Sequence, residues 1–252
     1  MDKIIEKTST AIDRHSMFIK KKEHNRWIDD CYMLMGIARF YKKEYFVGEE
    51  VFEYVAKAYK NQDERFLALI WLARTYMELK NYDKAESFLT LIEEKGCPKQ
   101  YSSEFHALYA DFWITKRNYD EAIVHMEKSL QTTRKKELRT RYNYILAQLW
   151  LKKKEFPRAS GYFTKVIKLK PEYDMLFNAK IARALSFDNG SEDSGDIKKM
   201  LTKMVKDKKN KEYLDQIYYA LADIAFKEGD EPLGIKYLQR SAAASICLLY
   251  TS

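Results

Sequence analysis

The sequence predicts an all-α fold, a solenoid of about six helical hairpins, and three observations predict it. The first is a pattern that recurs four times without slippage. Gly36, Ala73, Ala110 and Ala147, then Tyr45, Tyr82, Tyr119 and Phe156, then Gly48, Ala85, Ala122 and Ala159, then Phe52, Leu89, Met126 and Phe163 each follow one another at steps of 37 residues. Self-similarity at about twenty to fifty residues marks an array whose units bury their apolar faces by stacking on their neighbours. The second is that, inside each period, the apolar residues fall into two segments of helical spacing separated by a short polar turn. The third is composition: eight glycines and four prolines in 252 residues, against abundant Lys, Glu, Leu and Ala, suit helices joined by short turns and argue against β-structure.

The elements follow in chain order. Apolar pairs at Ile4-Ile5, Ala11-Ile12 and Phe18-Ile19 give the opening segment a helical face with no helix before it to pair with, so residues 1–22 read as half a hairpin. Residues 23–244 then carry the array. In its second unit Leu69, Leu72, Ala73 and Tyr76 form one stripe, Lys80-Asn81-Tyr82 make the turn, and Ala85, Leu89 and Ile92 form the stripe of the second helix. Ala85 is small because the two helices cross closely there. The third unit repeats this with Tyr109, Ala110, Trp113, Tyr119, Ala122 and Met126. The fourth does so with Leu146, Ala147, Trp150, Phe156, Ala159, Phe163 and Val166, and Pro171 closes it because proline does not continue a helix. Two less regular hairpins follow. One holds Asn178, Ile181, Ala182 and Leu185 before a polar loop over 188–195, expected to be the mobile element; the other holds Tyr218, Leu221, Ala222, Gly229, Asp230, Gly234 and Leu238. Residues 245–252 leave the array without a polar capping helix, and the final six resemble a translated sequencing adapter, so this tail is expected to be non-native or disordered and the chain a fragment of a longer repeat protein.

These bulky, small and aromatic positions resemble the tetratricopeptide repeat over residues 25 to 171 at least, with a unit longer than the usual one of about 34 residues. The resemblance implies a right-handed superhelix with a concave surface lined by the first helix of each hairpin, where such folds hold peptides or partner helices. The period supplies the positions that face it: Ile37, Arg74, Asp111 and Gln148 in one row, Leu34, Trp71, Leu108 and Ile145 in another. The groove expected is mainly apolar with one polar ridge and with Trp71 as an anchor. The competing reading, that these side chains pack against neighbouring hairpins, stays open. Leu34, Ile37, Trp71 and Leu108 stand where the carboxylate clamp of chaperone-binding relatives needs asparagines and basic residues, so a chaperone's acidic tail is not the expected ligand.

Chemistry finds little support. The four histidines lack metal-ligand spacing, although His106 and His125 belong to one hairpin and could approach each other, and there is no glycine-rich phosphate loop or nucleophile elbow. The three cysteines, Cys31, Cys97 and Cys247, show neither disulfide nor zinc spacing. No enzyme activity, catalytic residue, metal, cofactor or small-molecule substrate is expected. The formal charge of +8 comes from 45 basic residues interspersed with 37 acidic ones, which favours a solvated surface over a nucleic-acid-binding one. Core packing explains the 19 tyrosines and 13 phenylalanines better than base stacking, since most fall on repeat positions. No apolar run reaches the ~18 residues of a transmembrane span.

A more specific resemblance lies in the first hundred residues. Lys7-Thr8-Ser9, His15-Ser16-Met17, the run from Asn25 through Trp27, Cys31 and Leu34 to Gly36, and Tyr41-Lys42-Lys43-Glu44-Tyr45 look like the SprE/PorW family of tetratricopeptide lipoproteins of gliding motility and type IX secretion. That resemblance implies a non-catalytic scaffold of the periplasm or cell envelope whose partners are protein components of the secretion system. The charged N-terminus departs from the family in lacking a signal sequence or a lipid-bearing cysteine. The alternative is a cytosolic regulatory or nucleic-acid-associated repeat adaptor that uses the basic turns.

Overall fold

The computed structural model describes residues 1–20, 22–25, 27–60, 62–188 and 194–245. The chain divides into two compact units, Met1–Thr132 and Thr133–Ser252, a boundary inside the span expected to be one array. Thirteen α-helices make up nearly all of the described structure.

The first unit holds α1 (Asp2–His15), α2 (Ile28–Tyr41), α3 (Tyr45–Ala58), α4 (Glu64–Glu78), α5 (Tyr82–Lys95), α6 (Lys99–Thr115) and α7 (Tyr119–Thr132). The hairpins α2–α3, α4–α5 and α6–α7 are those the period marks out, and α1 packs on α2, with the Asp2 carboxylate accepting from Lys42 Nζ. Between α1 and α2 lies a feature the composition argued against, a two-residue antiparallel ribbon of β1 (Phe18–Ile19) and β2 (Lys22–Glu23) in which Phe18 pairs with Glu23 and Ile19 with Lys22. Glu23 holds it by geometry that no periodicity reveals: its carboxylate accepts from the Ser16 hydroxyl and from the backbone N–H groups of Met17, His24 and Asn25.

The second unit holds α8 (Lys136–Lys152), α9 (Phe156–Leu169), α10 (Tyr173–Leu185), α11 (Ser194–Lys206), a 3-10 helix (Lys208–Tyr213), α12 (Leu214–Lys227) and α13 (Glu231–Ala244). α8 pairs with α9 and α12 with α13, while α10 touches α9, α11 and α12. Most of the loop expected to be mobile, residues 189–193, and most of the expected tail, residues 246–252, lie outside the described residues.

Five hairpins share one turn. At Lys43, Lys80, Arg117, Lys154 and Gly229 the backbone enters the left-handed region, with φ between 58° and 82°. The N–H of that residue bonds the carbonyl three back (Phe40, Met77, Ile114, Leu151, Phe226), and the next N–H bonds the carbonyl five back (Arg39, Tyr76, Trp113, Trp150, Ala225). This is the paired hydrogen-bond pattern of a Schellman helix end, which satisfies carbonyls the helix leaves open. The following helix then starts under a side-chain cap in three of the five, from Asn81 to the Lys84 N–H, from Asn118 to that of Glu121 and from Asp230 to that of Leu233.

The crossing inside these five hairpins depends on the small residue at the fourth position of the second helix. Ala85, Ala122 and Ala159 are fully buried, and Gly48 and Gly234 occupy the same place in α3 and α13. A methyl group at Gly234 would lie 2.7 Å from the Phe226 ring, and one at Gly36, on α2, 2.5 Å from Phe52. Phe52, Leu89 and Phe163 are completely buried at one equivalent position, and each contributes about 1.5–3 kcal/mol by leaving water.

Candidate partner-binding groove

In the first unit the positions expected to face a groove lie on α2, α4 and α6, of which α4 packs against both others. A cavity of about 200 Å³ opens between α4 and α6, and Arg74, Met77, Tyr82, Leu108 and Asp111 contribute to its walls. Three of the residues expected to face a groove, Arg74, Leu108 and Asp111, are thus brought together. The Arg74 guanidinium lies 4.5 Å from the Trp71 ring centroid and 3.6 Å from the Glu104 carboxylate, so a cation–π contact and an ion pair fix its direction. Asp111 is exposed and Arg74 half-buried, and Glu78, Lys80 and Thr115 join them, so the cavity is mainly polar and charged with Leu108 and Met77 among its walls.

The other expected residues are placed differently. Trp71, the expected anchor, is only 5% exposed. Its ring stacks on Phe52 at 5.9 Å and meets the edge of Phe40 at 5.3 Å, so it is core and offers no surface to a partner. Leu108 is 3% exposed and reaches the cavity as floor only. Leu34 is 51% exposed on α2, and Ile37 is half-buried against the core. In the second unit, on α8, Gln148 is exposed and Ile145 half-buried. Of the two readings left open, packing therefore holds for Trp71, and a solvent-facing position for Leu34, Asp111 and Gln148.

Sequence reasoning placed His106 and His125 in one hairpin, and the structure puts their Nδ1 atoms 3.0 Å apart between α6 and α7. One ring must donate and the other accept. His125 is 4% exposed and lies under the Tyr109 ring at 4.1 Å; burial first, and the neighbouring Lys128 ammonium second, push the pKa of His106 down to about 4, while His106 and Lys128 both add to burial in doing the same for His125. One turn away Ser103 and Ser129 exchange hydrogen bonds with each other's carbonyls, so a polar seam runs through this hairpin. Among the described residues no group of three or more histidine, cysteine or acidic side chains is placed to hold a metal ion.

A stack of antiparallel helical hairpins with closed small-residue crossings and a shallow groove on its first helices defines a helical-repeat protein. The repeat is of the tetratricopeptide kind: residues 67–92, spanning most of α4 and α5, match the family described as tetratricopeptide repeat. Solved structures share the fold. The C-terminal part of a TPR repeat-containing protein from Cytophaga hutchinsonii superposes with a TM-score of 0.63 at 17% identity, covering 95% of this chain and 88% of that one. The apo form of the quorum sensor NprR from B. thuringiensis gives 0.61 at 15% identity over 96% of this chain and 70% of that one. Apo RapI gives 0.56 at 15% identity over 95% and 88%. No curated protein matches the sequence significantly. Among the described residues no helix is long and apolar enough to cross a membrane.

Proposed function

We propose that this chain is a non-catalytic scaffold that binds protein partners through the groove of its first unit, within a type IX secretion or gliding-motility assembly of the cell envelope. The observation that carries the binding role is the cavity between α4 and α6, where Arg74 and Asp111 flank Leu108. Acidic and basic side chains gathered around Leu108 and Met77 suit a peptide or helix with charged residues beside an apolar one. The assignment to secretion and motility is supported by the sequence resemblance of the first hundred residues. Affinity capture from envelope fractions with the full chain tests both parts. Arg74→Glu combined with Asp111→Lys should abolish partner recovery while leaving helicity unchanged; undiminished capture removes the groove from the reading, and capture without any secretion or motility component removes the assembly.

The second reading, a cytosolic regulatory or nucleic-acid-associated adaptor, is favoured by the exposed basic residues Lys43, Lys80 and Arg117 at successive turns of the first unit. Mobility-shift titration with RNA and DNA tests its nucleic-acid arm, and salt-insensitive or absent binding excludes that arm.

A further inference from the structure

The second unit contains one hairpin that breaks the crossing rule. Its helices are α10 and α11, and the residue four before the deep position Leu201, which is Gly or Ala at the equivalent place in the other five hairpins, is Ile197, 1% exposed. A branched side chain at the crossing keeps two helices apart where Ala85 or Gly48 lets them close. The same two helices and the 3-10 helix also bound, on a face that Ile197 does not line, a cavity of about 530 Å³, within the ~300–1,000 Å³ of ligand pockets.

Its chemistry is two-sided. Phe177, Met200 and Met204 supply an apolar floor, and methionines adapt to a guest side chain better than branched residues do. Tyr173 closes one end, its hydroxyl donating to the buried Asn210 side chain at 2.6 Å, while the Asn210 amide donates to the Met204 carbonyl at 2.7 Å; the end wall is therefore rigid. Four lysines, Lys180, Lys199, Lys203 and Lys209, face two aspartates, Asp196 and Asp207. Among the described residues Lys180 and Lys203 make no ion pair, and Lys199 lies 3.8 Å from Asp196 with both side chains largely in solvent. Asp196, Lys199 and Lys203 follow one another on α11, and Asp207 caps the 3-10 helix that comes next by accepting from the Lys209 N–H, so in the chain two cations stand between two anions. Lys199 and Lys203 are about 6 Å apart along the helix axis, close to the ~6.6 Å between alternate side chains of an extended chain.

We infer that this cavity is a binding site for a short acidic peptide segment, extended, with two carboxylates in alternate positions facing Lys199 and Lys203 and an apolar side chain seated on Phe177 and Met204. The flanking aspartates disfavour a long polyanion, and the lining contains no arginine fork and no glycine loop to cradle phosphate. The site is in the second unit and does not depend on the groove of the first.

The probe is an acetylated, amidated, fluorescein-labelled peptide with a Glu-Ser-Glu-Ser-Phe core, whose two carboxylates and ring share one face when extended, titrated into the full chain by anisotropy and, unlabelled, into protein carrying 13C-methyl methionine. Saturable binding is expected, with methyl shifts concentrated at Met200 and Met204, at least tenfold weaker binding to Lys199→Glu/Lys203→Glu, and no binding of the Gln-Ser-Gln-Ser-Phe peptide. Both substituted lysines are exposed, so the double variant should keep its helicity and melting temperature. No binding up to millimolar peptide, equal binding of the neutral peptide or of the double variant, or methyl shifts elsewhere would overturn the assignment. So would tighter binding of ATP or single-stranded RNA with the same lysine dependence, which would make it a phosphate site.

Discussion

The buried histidine pair should make the first unit acid-sensitive in a window set by its own chemistry. His106 and His125 titrate in the folded chain at about 4, against a reference value of 6.5. Burial disfavours the imidazolium, and the Nδ1 contact of 3.0 Å needs one ring to keep a lone pair for the other's N–H. Both folded values are lowered, so on acidification the unfolded chain takes up protons first. The stabilisation is complete above pH 6.5, declines as pH falls, and is exhausted near pH 4. Each pK unit is worth about 1.4 kcal/mol, which gives roughly 3 kcal/mol for His125 and less for the more exposed His106. The charged groups around the pair act in the same direction, since Lys128 is the ammonium that adds to burial on both rings.

The assay is thermal unfolding by circular dichroism from pH 7.5 to 4.5, for the native chain and for His106→Phe/His125→Phe. The native midpoint should fall faster with acid than that of the double variant, with the curves converging in shape above pH 6.5. Side-chain NMR of the histidines gives the direct reading: both rings should remain neutral at pH 5.5. A ring titrating near 6.5, or parallel melting curves for the two proteins across the window, would refute the account, because burial would then not be holding the imidazoles neutral.

Three further substitutions test the packing. Trp71→Ala should lower stability by about 3–5 kcal/mol, as truncation of a buried aromatic does, whereas an exposed groove anchor would leave chemical denaturation unchanged. Gly36→Ala should cost about 1–3 kcal/mol, because its methyl would sit 2.5 Å from the fully buried Phe52 ring; an unaltered denaturation midpoint would show that the ring can yield. Lys80→Gly should raise stability by about 0.5–1 kcal/mol by removing a side chain from a left-handed residue at φ 58°, and a loss of stability there would mean that the lysine makes a contact worth more than the strain.

The hairpins were legible because their determinants are periodic, and a period is visible in a single chain. The depth of each groove position was not. Leu34, Trp71 and Leu108 form one row by spacing, yet Trp71 and Leu108 are buried and Leu34 is half exposed. The difference comes from the neighbour in front: α2 packs onto α4 and α4 onto α6, and each covers the row of the next. Covering depends on the rings of the preceding hairpin, here Phe40 and Phe52 around Trp71, and no property of the Trp71 repeat alone encodes it. The left-handed turn residues were hidden for another reason. Glycine is the usual sign of such a turn, and only Gly229 shows it; Lys43, Lys80, Arg117 and Lys154 adopt the conformation because two backbone hydrogen bonds hold them there.

The fifth hairpin was legible only as an irregularity, and its meaning depends on the register of its second helix. The period of 37 puts Asp196 at the crossing, but the buried residue four before Leu201, as Ala85 stands four before Leu89, is Ile197. With that offset of one, Leu201 and Met204 fall on the deep positions held by Leu89 and Ile92 in α5, and all are buried. The same helix thus keeps its core face and changes only its crossing residue. The packing rule kept in five hairpins is thus relaxed in the one whose two helices also bound a cavity lined by lysines on an apolar floor.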